Sequence, residues 1–213
     1  HKARALRAAS PKPVIGHGPP RMPRKNSVTI ASASLELRAF GLTFGAAKLD
    51  PGTRFLLETL FTQAVDSFAA GSTAVDLGCG NGTIAAVLAK KTRDVAIVAT
   101  DDSASAVRST LATLAANNID DVDVLHQSGL VTLGDASVDT IVLNPPFHDG
   151  TEITGDIAQF LFSEAARVLK PGGILWTVFN ASRGYRKSLT KLVGPTEQIT
   201  RNQRFIITRS QKV

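Results

Sequence analysis

Val75-Asp76-Leu77-Gly78-Cys79-Gly80-Asn81-Gly82 is the stretch that decides the fold. It leaves an apolar strand over 73–78, turns through three glycines and opens a helix over 81–91. Glycine lets a backbone turn sharply and approach a ligand with no Cβ in the way. The spacing is G-x-G-x-G, and Thr83 stands where a dinucleotide fingerprint carries its third glycine. Downstream the chain alternates: strand 94–100, helix 103–117, strand 122–127, strand 138–143, helix 155–169, strand 173–179, helix 183–193. Two extended segments follow, near 196–201 and 204–210. Lys170-Pro171-Gly172-Gly173 reads as a stop and turn between helix and strand. Strand–helix–strand units with short loops predict an α/β, doubly wound, Rossmann-like sheet of seven mostly parallel strands. Its ligands would lie beyond the strands' carboxyl ends at the switch point.

Upstream, Asp50-Pro51-Gly52 opens a helical pattern with Leu57, Leu60, Phe61, Ala64 and Phe68 on one face; Asp50 reads as its cap and Pro51 fits the first turn. Residues 28–44 can form one or two short strands that lid the domain. Residues 1–26, rich in Pro, Gly, Arg and Lys, read as a basic linker or arm, leaving 27–213 as the folded domain.

The 213 residues carry 24 Lys and Arg against 18 Asp and Glu, a net charge of +6. The distribution says more than the total. Residues 1–26 hold seven basic side chains and no acid, and residues 183–213 hold eight with only Glu197 against them. The middle of the chain is therefore acidic, between two basic flanks. That is the pattern of a body that grips a polyanion at its edges, or of basic tails that keep a protein soluble. A single cysteine, Cys79, excludes an internal disulfide, and with His17, His126 and His148 scattered no metal site is expected. No uncharged apolar run approaches the ~20 residues of a membrane span, and the amino terminus lacks the apolar stretch of a secretory signal.

The chemistry concentrates at Asn144-Pro145-Pro146-Phe147, directly after the strand 138–143. The Asn144 side-chain oxygen and the Pro145 carbonyl can accept both hydrogens of a planar NH2 group. Neither proline has an N–H, so the backbone there is stiff and offers only acceptors. Phe147 can stack on the ring bearing the amine. Over the glycine floor of Gly78, Gly80 and Gly82, Asp76 can supply a counter-charge to an ammonium group. Nineteen residues after Gly82, Asp101 ends the second strand, where a carboxylate can accept from two ribose hydroxyls.

Together these three sites resemble the signature of class I S-adenosylmethionine-dependent methyltransferases that act on amine nitrogen. More narrowly, the chain is similar to the bacterial ribosomal RNA guanine-N2 methyltransferases of the small and large subunits. The narrower features are Phe44 with Lys48-Leu49-Asp50-Pro51-Gly52-Thr53, His148 after the tetrapeptide, Asn180…Tyr185…Leu189…Gly194, and Asn202-Gln203-Arg204-Phe205. The match runs from about residue 37 to 208. The resemblance implies a cytoplasmic enzyme, S-adenosylmethionine as cofactor, and ribosomal RNA or a ribosomal subunit as partner. That family usually carries an amino-terminal domain, a degenerate copy of the catalytic one, and residues 1–26 resemble the link that follows it. By the resemblance Asp102 and Ser128 sit at the adenine, where the family usually has an apolar residue and an Asp or Asn.

The chemistry implied is an in-line displacement in which an exocyclic nitrogen attacks a sulfonium methyl carbon. Two acceptors on the amine hydrogens favour a pyramidal nitrogen and stabilise the charge forming on it. A base inside a helix hides its amino group, so it must be flipped out or unpaired. Alternatives stay open: a protein glutamine amide or an adenine N6 as acceptor, or a non-catalytic RNA-binding module. His148 can orient the base, bind phosphate, or be a solvated loop residue. Cys79 reads as a small buried filler, Asn180 as a helix cap or substrate contact, and Tyr185 as a packing residue.

Overall fold

The computed structural model describes residues 22–41, 43, 45–63, 68–146 and 152–213. Five parallel strands make up one side of a seven-stranded sheet: β3 (Thr73–Leu77), β4 (Ala96–Asp101), β5 (Val122–His126), β6 (Val138–Leu143) and β7 (Leu169–Asn180). β9 (Phe205–Gln211) runs antiparallel to β7, and β8 (Thr196–Arg201) pairs antiparallel outside it. The order is β5-β4-β3-β6-β7-β9-β8. The chain winds outward from β3 to β5, then crosses back to lay β6 on the other side of β3. That reversal opens a crevice between the carboxyl ends of β3 and β6, where the glycine loop and Asn144 both begin.

The central strands are apolar on both faces because both faces are covered. Their alternate residues feed two cores. Ala74, Val142, Ile174, Trp176 and Val178 pack under α1 (Pro51–Gln63), α2 (Thr83–Lys91) and α3 (Ala104–Ala116). Val75, Leu77, Ile141, Leu143, Leu175 and Phe179 pack under α4 (Glu152–Val168) and α5 (Tyr185–Leu192). Among the described residues no helix is long and apolar enough to cross a membrane.

β1 (Arg24–Ile30) and β2 (Ala33–Ala39) form a hairpin whose apolar residues Ile30, Leu35 and Leu37 join the first core. The hairpin therefore covers the helix layer, and three residues assigned to the arm, Arg24, Lys25 and Asn26, belong to β1. The free edge of β2 is satisfied by side chains of α3 and its C-cap residue Asn117. Asn117 Oδ1 accepts from the Glu36 N–H at 3.0 Å, Thr113 Oγ1 from Arg38 N–H at 2.9 Å, and Ser109 Oγ from Phe40 N–H at 2.9 Å. Residues four apart on a helix thus serve alternate residues of a strand, since one helical turn and two strand residues rise by similar lengths.

Inside the sheet, β7 begins earlier than the sequence implies. Leu169 already pairs with Val138, while Ile174 pairs with Thr140, so the segment holding Pro171 and Gly172 bulges outward from the ladder.

Candidate active site

The glycine loop is pinned from the neighbouring strand. Gly78 and Cys79 N–H groups donate to the Thr100 carbonyl at 2.8 and 2.9 Å, and the Gly80 N–H donates to Asp101 Oδ2 at 2.9 Å. The other Asp101 oxygen accepts from the Ser103 N–H at 2.9 Å. Burial raises the carboxyl pKa of Asp101 above its ordinary value, against the lowering effect of these two donors. From the opposite side, Asn81 Nδ2 donates to the Ala46 and Lys48 carbonyls, clamping the loop to the segment before α1.

Three glycines share the motif but not the task. Gly78 and Gly80 line a cavity of about 350 Å³, and a Cβ on either would meet nothing within 4 Å. They form its open floor. Gly82 is absent from that wall: a Cβ there would stand 2.9 Å from Thr110 Cα, so this glycine lets α2 and α3 approach. Cys79 is buried, with Thr110 Oγ1 donating to its sulfur at 3.2 Å, and burial drives its thiol pKa far upward. It is an inert filler.

The cavity wall joins Asp101, Asp102, Ser128 and Gly129 to Ile157, Phe160 and Leu161 of α4. The α4 residues were not foreseen. Ile157 and Phe160 are each 41% exposed, so an apolar face stands open beside a carboxylate. A Cβ on Gly129 would fall 2.9 Å from the Phe160 ring, which explains glycine after Ser128. The Glu164 carboxylate accepts from Leu130 N–H at 3.1 Å and pairs with Arg167, which also donates to the Leu130 carbonyl; these contacts hold the Ser128 loop against α4.

Asn144 borders this cavity and a second one of about 50 Å³ lined by Lys48, Asp50, Thr53, Asn81 and Thr83 among others; Gly78 and Gly80 line both. Its amide nitrogen donates to Asp50 Oδ1 and Thr53 Oγ1, each at 2.9 Å. Its oxygen is buried and has no partner among the described residues. Pro145 is buried and Pro146 lines the larger cavity. Phe147, His148 and Phe44 lie outside the described residues.

Asp76 sits elsewhere than in the cavity wall. It is fully buried, its Oδ2 accepts from the Ala85 N–H at 2.9 Å, and its Oδ1 has no partner among the described residues. Desolvation pushes its pKa up to about 7. Asn180 Oδ1 accepts from the Ser182 N–H and hydroxyl, closing the turn after β7. Tyr185 packs edge-on against Phe162 and Phe179, with centroids 5.5 Å away in both cases. Of the basic flank, Arg186 and Lys187 line an open groove on α5 with Gly184 and Thr190.

A family model described as the methyltransferase small domain matches residues 35–209. The chain is 38% identical over 170 residues to the ribosomal RNA large subunit methyltransferase G of Streptomyces coelicolor, covering 79% of this chain and 44% of that protein. To the protein of the same name from Shewanella amazonensis it is 34% identical over 203 residues, 93% of this chain and 51% of that one. The chain thus spans about half the length of these relatives. Among solved structures, it superposes with a TM-score of 0.81 and 28% identity on the T. thermophilus 16S rRNA N2 methyltransferase RsmC in complex with AdoMet and guanosine. The overlap covers 91% of this chain and 52% of that one.

Proposed function

Since this chain belongs to the methyltransferase small domain family, we propose that it transfers a methyl group from S-adenosylmethionine to the exocyclic N2 amine of a guanine in ribosomal RNA. The single observation carrying this reading is the buried Asn144 oxygen, without a partner among the described residues, at the lip of the glycine-floored cavity. An unpaired buried acceptor costs about 1–3 kcal/mol and invites a donor. An aryl amine is such a donor.

The residues present suit the cofactor. Gly78 and Gly80 leave open floor, the Asp101 carboxylate, anchored by two backbone N–H groups, keeps lone pairs for ribose hydroxyls, and Ile157, Phe160 and Leu161 offer an apolar face to adenine. Asp102 and Ser128 supply polar contacts at the rim of that face. The apolar contact usually made by the residue after the ribose acid thus passes to α4. Asp76 Oδ1, buried and without a partner among the described residues, would be the acceptor for the ammonium group. The chemistry supplied by S-adenosylmethionine held there would be an electrophilic methyl group, the carbon–sulfur bond breaking as the carbon–nitrogen bond forms.

The protein's own part is positioning and charge. Asn144 Oδ1 and the Pro145 carbonyl accept the two amine hydrogens, drawing the nitrogen lone pair out of conjugation and stabilising the positive charge that develops there. The extra proton leaves to solvent after transfer, so no strong base is needed. Phe147 would hold the base by stacking, worth about 1–3 kcal/mol on comparable platforms. Basic residues of the carboxyl-terminal segment would meet phosphates. An enzyme of this kind would work in the cytoplasm. That the relatives are ribosomal RNA methyltransferases favours RNA over a protein amide, and the likeness to RsmC with its bound guanosine favours a guanine N2 over an adenine N6.

The test offers tritiated S-adenosylmethionine with small subunits, large subunits and free ribosomal RNA in parallel, followed by nucleoside mass analysis. Label in N2-methylguanosine is expected. Label in N6-methyladenosine or in protein would overturn the assignment.

A further inference from the structure

The Asn144 amide has two ends of similar shape and opposite chemistry, and only the oxygen can accept from an amine. Turned over, the side chain would point two hydrogens at the substrate's own hydrogens. Nothing within residue 144 decides between the two orientations. From the observed contacts we infer that Asp50 and Thr53 decide it: they are positioning residues that hold the amide nitrogen away from the substrate and so present the oxygen. This rests on the amine-methylation reading above and deepens it.

A carboxylate accepts and never donates, so the end of the amide facing Asp50 Oδ1 has to be the NH2 group. Both of its hydrogens are taken, by Asp50 Oδ1 and Thr53 Oγ1 at 2.9 Å. Among the described residues the oxygen is left without a partner. Asp50 is itself fixed, because the same Oδ1 accepts from the Thr53 N–H at 2.8 Å at the start of α1. Behind it, a Cβ on Gly52 would stand 3.1 Å from that oxygen and 3.3 Å from the Phe205 ring, so a side chain at 52 would displace the carboxylate. The helix start and the Asn144 clasp are one structure, built from residues 94 positions apart in sequence. A negative charge on the nitrogen side also polarises the amide and strengthens its oxygen as an acceptor, as linked hydrogen bonds do.

The experiment uses the full chain with S-adenosylmethionine and unmodified ribosomal RNA transcript, reading the single-turnover methyl-transfer rate and, separately, the cofactor Kd. Asp50→Ser keeps a good helix cap but is too short to reach Asn144. It should lower the rate roughly ten- to hundredfold, within the range that a misplaced polar group costs, and leave the cofactor Kd unchanged. Thr53→Val should act in the same direction. Asp50→Asn, with an acceptor oxygen of the same reach, should restore most of the rate. In an Asn144→Ala background Asp50→Ser should cost nothing more, because residues acting through one group are not additive. An additive loss, or a loss that appears as weaker cofactor binding, overturns the inference. If Asn144→Ala itself turns over normally, the methylation mechanism fails instead, and the two failures are distinguishable.

Discussion

The Gly80 N–H donates to Asp101 Oδ2 at 2.9 Å, so the floor of the cavity and its carboxylate are locked together across β3 and β4. The carboxylate can therefore meet ribose hydroxyls without first being ordered. Asp101→Ala removes both that acceptor and one of the loop's anchors. Hydrogen bonds to a charged group contribute about 1.5–3 kcal/mol each. Calorimetry should show the Kd for S-adenosylmethionine rising at least about tenfold, in line with that range.

Gly80→Ala and Gly82→Ala should separate binding from folding. Both glycines have positive φ, at 55° and 78°, which costs an alanine roughly 1–2 kcal/mol. Only at Gly82 does the added Cβ also press on backbone, at 2.9 Å from Thr110 Cα. Gly82→Ala should lose about 1–3 kcal/mol more in urea unfolding than Gly80→Ala. Gly80→Ala should show the larger loss of cofactor affinity.

Phe160→Ala tests the wall supplied by α4. The ring is 41% exposed, so its removal should cost little stability. If it faces adenine, affinity should fall about tenfold, the scale of one aromatic contact. S-adenosylhomocysteine should lose affinity equally, because it carries the same adenosine. A loss confined to S-adenosylmethionine would place the ring elsewhere.

Asp76 should make the cofactor-free protein less stable as pH rises. Its folded pKa, about 7, lies above its ordinary value of 3.8. The folded state thus binds the proton more tightly than the unfolded state. The stabilisation is complete below pH 3.8 and is lost as pH climbs towards 7, by up to roughly 4 kcal/mol. The urea midpoint should fall between pH 5 and 7 and level off above. Asp76→Asn should flatten that slope, since an amide oxygen can still accept from the Ala85 N–H. A midpoint that rises over this range in the wild-type chain, or an unaltered slope in the variant, would contradict the assignment.

How much of this was legible in sequence depends on the range of the interaction. The strands expected over 73–78, 94–100 and 138–143 correspond to β3, β4 and β6, because central parallel strands read as predominantly apolar runs. The helix start at Asp50-Pro51 was readable because capping is local. The β1–β2 turn was not, because Ala31 and Ser32 take positive φ without a glycine or asparagine to signal it. Ile157, Phe160 and Leu161 follow helical spacing, which looks the same for a core stripe and for a cavity wall. Gly82 shares its motif with Gly78 and Gly80, and only the approach of Thr110 distinguishes it. The Asp50–Asn144 contact joins distant segments, and nothing in either segment alone names the other.

The most direct measurement sets cofactor affinity and single-turnover methyl transfer side by side for Asn144→Ala. Calorimetry should give a Kd for S-adenosylmethionine close to that of the wild-type chain. The transfer rate to ribosomal RNA should fall by about 10²–10³, the usual consequence of deleting one group that stabilises a forming charge. A variant that binds cofactor and methylates at the wild-type rate would contradict the account.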